Sequence, residues 1–130
     1  MGQDEAVQEH LDLSRDFLAS AQRDAEEGRF APARFNLLPA LELALKAALI
    51  ARTGSTTWST HNVHGPFGQH FRGRMDAGTL AKVNLLIQEY GRSRYTDWEE
   101  PSHDEMSEDV AFVARMIEET IPHLVSEGSA

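Results

Sequence analysis

Apolar residues recur every three or four positions along much of this chain, which is the period of an amphipathic α-helix. The first stretch of this kind runs from Asp4 to Glu27, and Gly28 follows it as a residue that commonly ends helices. A second stretch begins near Phe30 and runs to about Arg52, and Gly54 is expected to end it. Its apolar positions cover a wide arc, so we expect this helix to lie at the centre of a bundle. The apolar positions on the two stretches are Leu11, Leu13, Phe17, Leu18, Ala21 and Ala25, then Leu37, Leu38, Leu41, Leu45, Ala48 and Leu49.

The middle of the chain carries a weaker pattern. Between residues 55 and 78 the chain is rich in Thr, Ser, Gly and His, and the spacing of Phe67 and Phe71 predicts one short helix that docks aromatic rings on the core. A third long helix is predicted from about Asp76 or Thr79 to Arg92. Its apolar stripe consists of Leu80, Val83, Leu86, Ile87 and Tyr90.

The last helix has a clear start signal. Ser102 with Glu105 three residues later forms a capping box, in which the serine side chain satisfies an N–H of the first turn. The apolar positions that follow are Val110, Val113, Ile117 and Ile121. No segment alternates apolar and polar residues over the length of a strand, and no internal repeat is present. We therefore predict an all-α fold, an antiparallel up-and-down bundle of four to five helices in which residues 1–130 form one domain.

The composition narrows the classes of protein that come into question. A chain of 130 residues can bury one core without disulfides, and the absence of cysteine excludes zinc–thiolate sites, iron–sulfur clusters and thiol nucleophiles. The longest apolar run is interrupted by Glu42 and Lys46, and the first ten residues are acidic where a signal peptide is basic and then apolar. We expect no membrane span and no export signal, and hence a cytoplasmic protein.

Charge is distributed unevenly along the sequence. The net charge is −9, yet residues 46–94 carry seven basic and two acidic side chains. Residues 1–45 carry nine acidic against four basic side chains, and residues 95–130 carry ten acidic against one basic. Two interpretations are open. In the first, the acidic ends pack beside the basic middle and the charges pair within the domain. In the second, the basic middle contains a focused anion site on an otherwise repulsive body.

Glu42 and Lys46 lie one helical turn apart on the second predicted helix, with the acid on the N-terminal side, which is the favourable order for an ion pair. They flank Leu41 and Leu45 on a mostly apolar helix, so we expect some burial. In that position Glu42 would orient Lys46 or Arg94 within a polar cluster. A structural role and direct contact with a ligand are both open for this pair.

A basic and aromatic cluster occupies the end of the third long helix. Arg92 and Arg94 are planar cations that can bind phosphate through two parallel hydrogen bonds. Tyr90, Tyr95 and Trp98 offer flat faces on which a base can stack. Arginine near a helix C-terminus also interacts favourably with the helix dipole, which requires no ligand. The loop that follows carries three acidic residues and suits a small or short ligand better than a long nucleic acid.

Three histidines in the middle of the chain, His61, His64 and His70, suit a metal site only weakly. No carboxylate lies between Thr53 and Arg74 to complete such a site, so we predict no metal and no other cofactor. The sequence also lacks the Gly-x-Ser-x-Gly turn of hydrolases and the glycine-rich loop that binds phosphates. Hydrolase and P-loop chemistry therefore have no support.

Three short motifs, in order along the chain, resemble the HEPN domain, a small helical bundle found in prokaryotic stand-alone proteins and as a module elsewhere. The family pattern has a helix with Glu and Lys four positions apart, a loop with Thr-His-Asp or similar, and a helix end with Tyr, three residues and Arg-Tyr. The matching residues are Ala40, Glu42, Lys46 and Ala47, then Thr60, His61 and Asn62, then Tyr90, Arg94 and Tyr95. The resemblance spans about residues 20–97. Asn62 stands where Asp is common, and Thr96 stands where Pro often follows Arg-Tyr.

The resemblance implies a binding protein more than an enzyme. Family members that cleave RNA carry an Arg followed after four to six residues by His, which joins a cation to a general acid or base. The nearest arrangements here leave seven or eight residues between Arg and His, so this signature is absent. The chain is thus similar to the branch in which the helical protein supplies a binding surface and a separately encoded minimal nucleotidyltransferase does the catalysis. The resemblance further implies a homodimer and a nucleotide or short RNA as ligand, in a toxin–antitoxin or defence-type module. The ligand-binding residues we predict are Glu42, Lys46, His61, Tyr90, Arg92, Arg94 and Tyr95.

Two alternatives stay open beside this hypothesis, and the sequence does not decide whether the chain is an enzyme. An RNA-cleaving toxin would use an atypical site formed by Arg94 with His103 or His61. A structural dimerisation module would use its charges without any ligand. In the family hypothesis, His61 is a candidate for contact with a phosphate or a base.

Overall fold

The computed structural model describes residues 2–59, 62–92 and 101–128, with only the backbone described for residues 91, 92 and 128. All regular elements in these ranges are helical, which confirms the all-α helical bundle. The α-helices are α1 Gln3–Glu26, α2 Phe30–Thr53, α3 His64–Phe71, α4 Ala77–Arg92, α5 His103–Arg115 and α6 Ile121–Gly128. A short 3₁₀ turn, Arg72–Arg74, precedes α4, and a π-helical segment, Met116–Thr120, joins α5 to α6.

Helices α1 and α2 form an antiparallel hairpin. Gly28, in the turn between them, has φ 75°, a left-handed conformation that glycine adopts without steric cost. The start of α1 meets the end of α2, where Nε2 of Gln3 donates hydrogen bonds to the carbonyls of Ile50 and Ala51 at 3.1 and 3.0 Å. Gly54 ends α2 in the same left-handed region, with φ 77°. Both helix ends predicted from glycine are confirmed.

Helix α2 forms the centre of the bundle, as its wide apolar arc predicts. It contacts each of the other α-helices of the described chain. A helix that is apolar on nearly all sides is stable in water only when neighbours cover it, and α2 is covered in this way. Its completely buried leucines are Leu37, Leu41, Leu45 and Leu49. Within the described ranges, no helix is both long enough and apolar enough to cross a bilayer.

Leu13 departs from the apolar stripe predicted for α1. Its side chain is 43% exposed, whereas Leu11 and Leu18 are buried. Two residues along an α-helix correspond to a rotation of roughly 200°, which carries Leu13 to the opposite side of α1 from Leu11. The buried stripe of this helix therefore runs through Leu11, Ser14, Leu18 and Ala21.

The structure confirms the short helix and the third long helix. Phe67 and Phe71 of α3 are buried, and the centroids of their rings lie 5.0 Å apart. Helix α4 begins directly after Asp76, whose carboxylate accepts hydrogen bonds from the backbone N–H of Thr79 at 2.8 Å and from its hydroxyl at 2.9 Å. These hydrogen bonds, the backbone one foremost, lower the pKa of the Asp76 carboxyl because they stabilise its charged form.

The last helical run comprises α5, the π-helical segment and α6. It begins with the predicted Ser102 cap and contains one feature that the hydrophobic pattern did not predict. Oγ of Ser102 accepts a hydrogen bond from the backbone N–H of Glu105 at 3.1 Å. The buried positions on the apolar side include Val113, Ile117 and Ile121. Between Met116 and Thr120 the helix widens into a π-helical turn. Pro122 lies two residues after the end of this turn. Because proline lacks an N–H and its ring conflicts with the carbonyl four residues earlier, a regular α-helix is disfavoured at this point.

Replacing Gln3 by alanine tests how the hairpin is fastened. We expect Gln3→Ala to lower the free energy of unfolding by about 1 kcal/mol, because two carbonyls at the end of α2 lose their donor. Urea denaturation followed by circular dichroism measures the change. Gln8→Ala is the matched control, because in the part of the chain that the structure describes the Gln8 amide bonds to the exposed Asp12 on its own helix, at 3.0 Å. It should change the free energy of unfolding by less than about 0.5 kcal/mol. An equal loss in both variants would contradict a specific role for Gln3.

Candidate functional site

A carboxylate on α5 binds two donors from α4. Nζ of Lys82 lies 2.8 Å from Oδ1 of Asp109, and the hydroxyl of Tyr90 donates to Oδ2 of Asp109 at 2.7 Å. Lys82 and Tyr90 lie on one side of α4, because eight residues correspond to a little over two helical turns. The side chains of Lys82 and Asp109 are 29% and 15% exposed. Water and salt therefore screen this ion pair less than one on the open surface.

Helix α2 adds a cation to the same group of side chains. The guanidinium carbon of Arg34 lies 4.1 Å from the centroid of the Tyr90 ring, which is the geometry of a cation–π interaction. We name Arg34, Lys82, Tyr90 and Asp109 the Asp109 cluster. The cluster joins α2, α4 and α5 through polar contacts at the edge of the apolar core.

Tyr90 lies within this cluster with only 5% of its surface exposed. Burial raises the pKa of the Tyr90 hydroxyl far above its usual range, and the charge and hydrogen bond of Asp109 raise it further. The hydroxyl therefore remains a donor throughout the neutral and mildly alkaline range. One face of the ring is covered by Arg34, so Tyr90 holds the end of α4 from inside the bundle and offers no open face to a base in this conformation.

Glu42 is a buried acid in the middle of α2. Its surface is 3% exposed, whereas Lys46, one turn later, is half-buried. The ion pairs among the described residues do not include one between these two side chains. A carboxylate in a core lowers stability unless donors surround it, and departures of this kind from an apolar core are typical of functional sites. Arg34 precedes Glu42 by eight residues, about 12 Å along the helix axis.

The remaining predicted site residues fall at or beyond the limits of the described chain. Arg92 is the last residue of α4, and only its backbone is described. His61, Arg94 and Tyr95 lie outside the described residues. Of the predicted set, the structure thus gives side-chain positions for Glu42 and Lys46 on α2 and for Tyr90 on α4; their role in binding remains a prediction.

Three members of the Asp109 cluster were missed by sequence reasoning. The position of Lys82 could have indicated its role, because it shares one side of α4 with Tyr90. The position of Arg34 was a weaker indication, because it stands two turns before Glu42 on α2. Asp109 is one acid among many in the last helical run, and nothing in its neighbourhood distinguishes it.

The first interpretation of the charge pattern is borne out for two of the basic side chains. Lys82 pairs with Asp109 of α5, and Arg74 of the 3₁₀ turn pairs with Glu127 of α6. Glu127 also lies 3.0 Å from Nε2 of His123. These two ion pairs link the acidic last helical run to the basic middle of the chain. The anion site of the second interpretation therefore draws on the other cations of that middle segment.

The histidines of the described chain do not form a metal centre. In residues 2–59, 62–92 and 101–128, no three His, Cys, Asp or Glu side chains are grouped as metal ligands would be. His70 meets the ring of Trp58 edge-on, with centroids 6.2 Å apart. His103, at the start of α5, is 75% exposed, and its ring lies 6.1 Å from that of Phe30. His103 is thus accessible to a ligand.

The chain matches the model of a known protein family. The family model described as HEPN domain matches residues 7–124. This range covers nearly the whole bundle, from the first turns of α1 into α6. No curated protein and no solved structure matches the chain significantly.

The titration of Tyr90 tests the burial of the cluster. The chain has two tyrosines, so in a Tyr95→Phe variant the ultraviolet absorbance of tyrosinate reports on Tyr90 alone. We expect the folded variant to show no ionisation as the pH passes 10.0, the ordinary pKa of the group, because burial and Asp109 raise the pKa. The same variant unfolded in urea should titrate near 10.0. Ionisation of the folded variant near that value would contradict the buried phenol.

The raised pKa of Tyr90 makes the free energy of unfolding depend on pH. Because the pKa of Tyr90 is higher in the folded protein than in the unfolded chain, its contribution to stability is fully present below pH 10.0 and declines as the pH rises above that value. Tyr90→Phe should lack this part of the alkaline loss in urea denaturation.

Proposed function

This chain belongs to the HEPN domain family, and on that premise we propose that it binds a nucleotide or short nucleic acid as the substrate-binding partner of a separately encoded minimal nucleotidyltransferase. The proposed setting is a toxin–antitoxin or defence-type module in the cytoplasm of a prokaryote, with the chain acting as a homodimer. The partner would supply catalysis, because the Arg and His spacing of the ribonuclease members is absent from this sequence.

The observation that carries the proposal is the concentration of cations and aromatic rings at the end of α4. Arg92 and Arg94 follow Tyr90 closely, and Tyr95 comes next in the sequence. Guanidinium groups bind phosphate through paired hydrogen bonds, and an aromatic ring supplies a face for a base. The Asp109 cluster supports the proposal because it anchors the last turn of α4, which ends at Arg92 and comes just before Arg94 and Tyr95 in the sequence.

The proposal gives each predicted residue a distinct task. Arg92 and Arg94 contact phosphate, and Tyr95 stacks on a base. His61 contacts a phosphate or a base. Tyr90 acts from within the bundle by holding the end of α4. Helix α2 is predicted to contribute the half-buried cation of Lys46 and the buried carboxylate of Glu42. The Glu42 carboxylate orients Lys46 or Arg94.

A short ligand fits the charge distribution better than a long polymer. The basic middle is flanked in sequence by strongly acidic segments, and part of its charge is already paired with the last helical run. A long nucleic acid would bring further phosphates towards those acids, which costs free energy, whereas a mononucleotide presents its phosphates at one place only.

Arg94→Ala tests the proposed site. ATP, AMP or a short single-stranded RNA should raise the melting temperature of the wild-type protein, since a ligand at about a hundred times its dissociation constant adds roughly 2.7 kcal/mol of stability. The shift should shrink with added salt and should be largely lost in Arg94→Ala. Arg15→Ala is the matched control, because Arg15 is an exposed arginine of α1 whose ion pair within the described ranges is with Asp12 on the same helix.

Two outcomes would count against this site. An equal ligand shift in Arg94→Ala and the wild type would exclude Arg94 as a contact. No shift of the wild-type protein with any ligand, together with a dimer in light scattering, would favour the structural dimerisation module.

The exposure of His103 keeps the RNA-cleaving toxin as a second candidate function. In that case labelled RNA incubated with the protein in the presence of a chelator should shorten. His103→Ala and His61→Ala would then show which imidazole acts as the general acid or base. If the chain is a binding protein, the RNA should remain intact. Cleavage by the wild-type protein that is lost in either histidine variant would instead show that the chain is a ribonuclease.

A further inference from the structure

We propose that Asp109 is a positioning residue for the ligand site at the end of α4. It acts through the Tyr90 hydroxyl and touches no ligand itself. This inference rests on the proposed function, because it concerns the same arginine-bearing segment. It adds a residue of the last helical run that belongs to none of the motifs by which the site was predicted.

The terminal turn of a helix loses its helical structure more easily than the middle does. The last carbonyls of an α-helix have no partner within the helix, and its terminal turn frays readily. Tyr90 lies in the last turn of α4, two residues before Arg92. The hydrogen bond of 2.7 Å from its hydroxyl to Asp109 ties this turn to α5. The turn that carries Arg92 is thus held by a contact from another helix.

The acceptor is itself held firmly. Lys82 donates to the other oxygen of Asp109 at 2.8 Å, which orients the carboxylate towards α4. The two donors lie a little over two turns apart on the same side of α4 and so register this helix against α5. Arg34 covers the ring of Tyr90 from α2 and restricts its motion away from the carboxylate.

This arrangement lowers the entropic cost of binding. A ligand that binds to a frayed segment must order it, and each side chain that becomes immobile weakens the affinity. With the last turn of α4 already tethered, Arg92 begins from a fixed backbone position. Loss of the tether should weaken binding roughly tenfold, which is the effect of ordering one or two such side chains.

The charge of Asp109 predicts the opposite effect if it acts directly on the ligand. A carboxylate beside an anion site repels phosphate, so its removal would strengthen binding. The sign of the change in affinity therefore distinguishes positioning from repulsion. Asp109→Asn separates the two further, because the amide oxygen can still accept the hydrogen bond of Tyr90 while the charge is gone.

The test compares dissociation constants of the full chain for ATP and for a short single-stranded oligoribonucleotide. The variants are Tyr90→Phe, Asp109→Ala, Asp109→Asn and the double variant Tyr90→Phe with Asp109→Ala. Each is measured at a temperature where circular dichroism shows it to be fully folded, so a loss of stability alone leaves the affinity unchanged. If Asp109→Ala does not fold, Tyr90→Phe and Asp109→Asn carry the test.

We expect Tyr90→Phe and Asp109→Ala each to weaken binding roughly tenfold and the double variant to be no weaker, because all three lack the same hydrogen bond. Asp109→Asn should retain most of the affinity. Glu127→Ala is the matched control, since it removes the ion pair that joins Arg74 to α6 and should leave the dissociation constant unchanged.

Three outcomes would overturn the inference while leaving the proposed function intact. They are unchanged affinity in Tyr90→Phe and Asp109→Ala, additive losses in the double variant, and tighter binding when the charge is removed. A wild-type protein that binds neither probe would overturn the proposed function, and the inference with it.

Discussion

The bundle is organised by the need to cover α2. This helix places apolar residues over most of its circumference, so it is stable in water only when neighbouring helices bury most of its surface. The hairpin with α1 covers one side, and α3 to α6 supply the rest. Because α4 and α5 both pack against α2, they approach each other closely enough for Tyr90 to donate a hydrogen bond to Asp109.

Polar groups in such a bundle are stable only where they satisfy one another. Burying a polar group without a partner costs free energy, and the Asp109 cluster avoids the cost by matching two donors to two oxygens of one carboxylate. Its contacts are directional, unlike those of the apolar core, so they specify how α4 is rotated against α5. The cluster thereby holds the end of α4 in place against α5.

The fold was largely predictable from sequence because helix signals are local. The glycines at positions 28 and 54, the Ser102 cap and the stripe through Val83 and Ile87 all depend on neighbours within about four residues, and the structure has each of them as expected. Leu13 was assigned to the stripe because it is apolar, although the roughly 200° rotation between it and Leu11 places it on the opposite side of α1. The π-helical segment was missed because its stability depends on packing and on Pro122 beyond it.

The candidate site was predictable only in part. Glu42 and Tyr90 were singled out because they belong to short motifs, and their role in binding remains a prediction. The partners of Tyr90 were not predicted, since Asp109 lies 19 residues away along the chain and Arg34 lies on another helix. The sequence by itself determined the helices, their ends and which face of each is apolar, because these properties arise within a few turns of one helix. Only the tertiary structure decided which acid pairs with which cation and that Tyr90 lies inside the bundle, because those contacts depend on the distances and rotations of helices packed against α2.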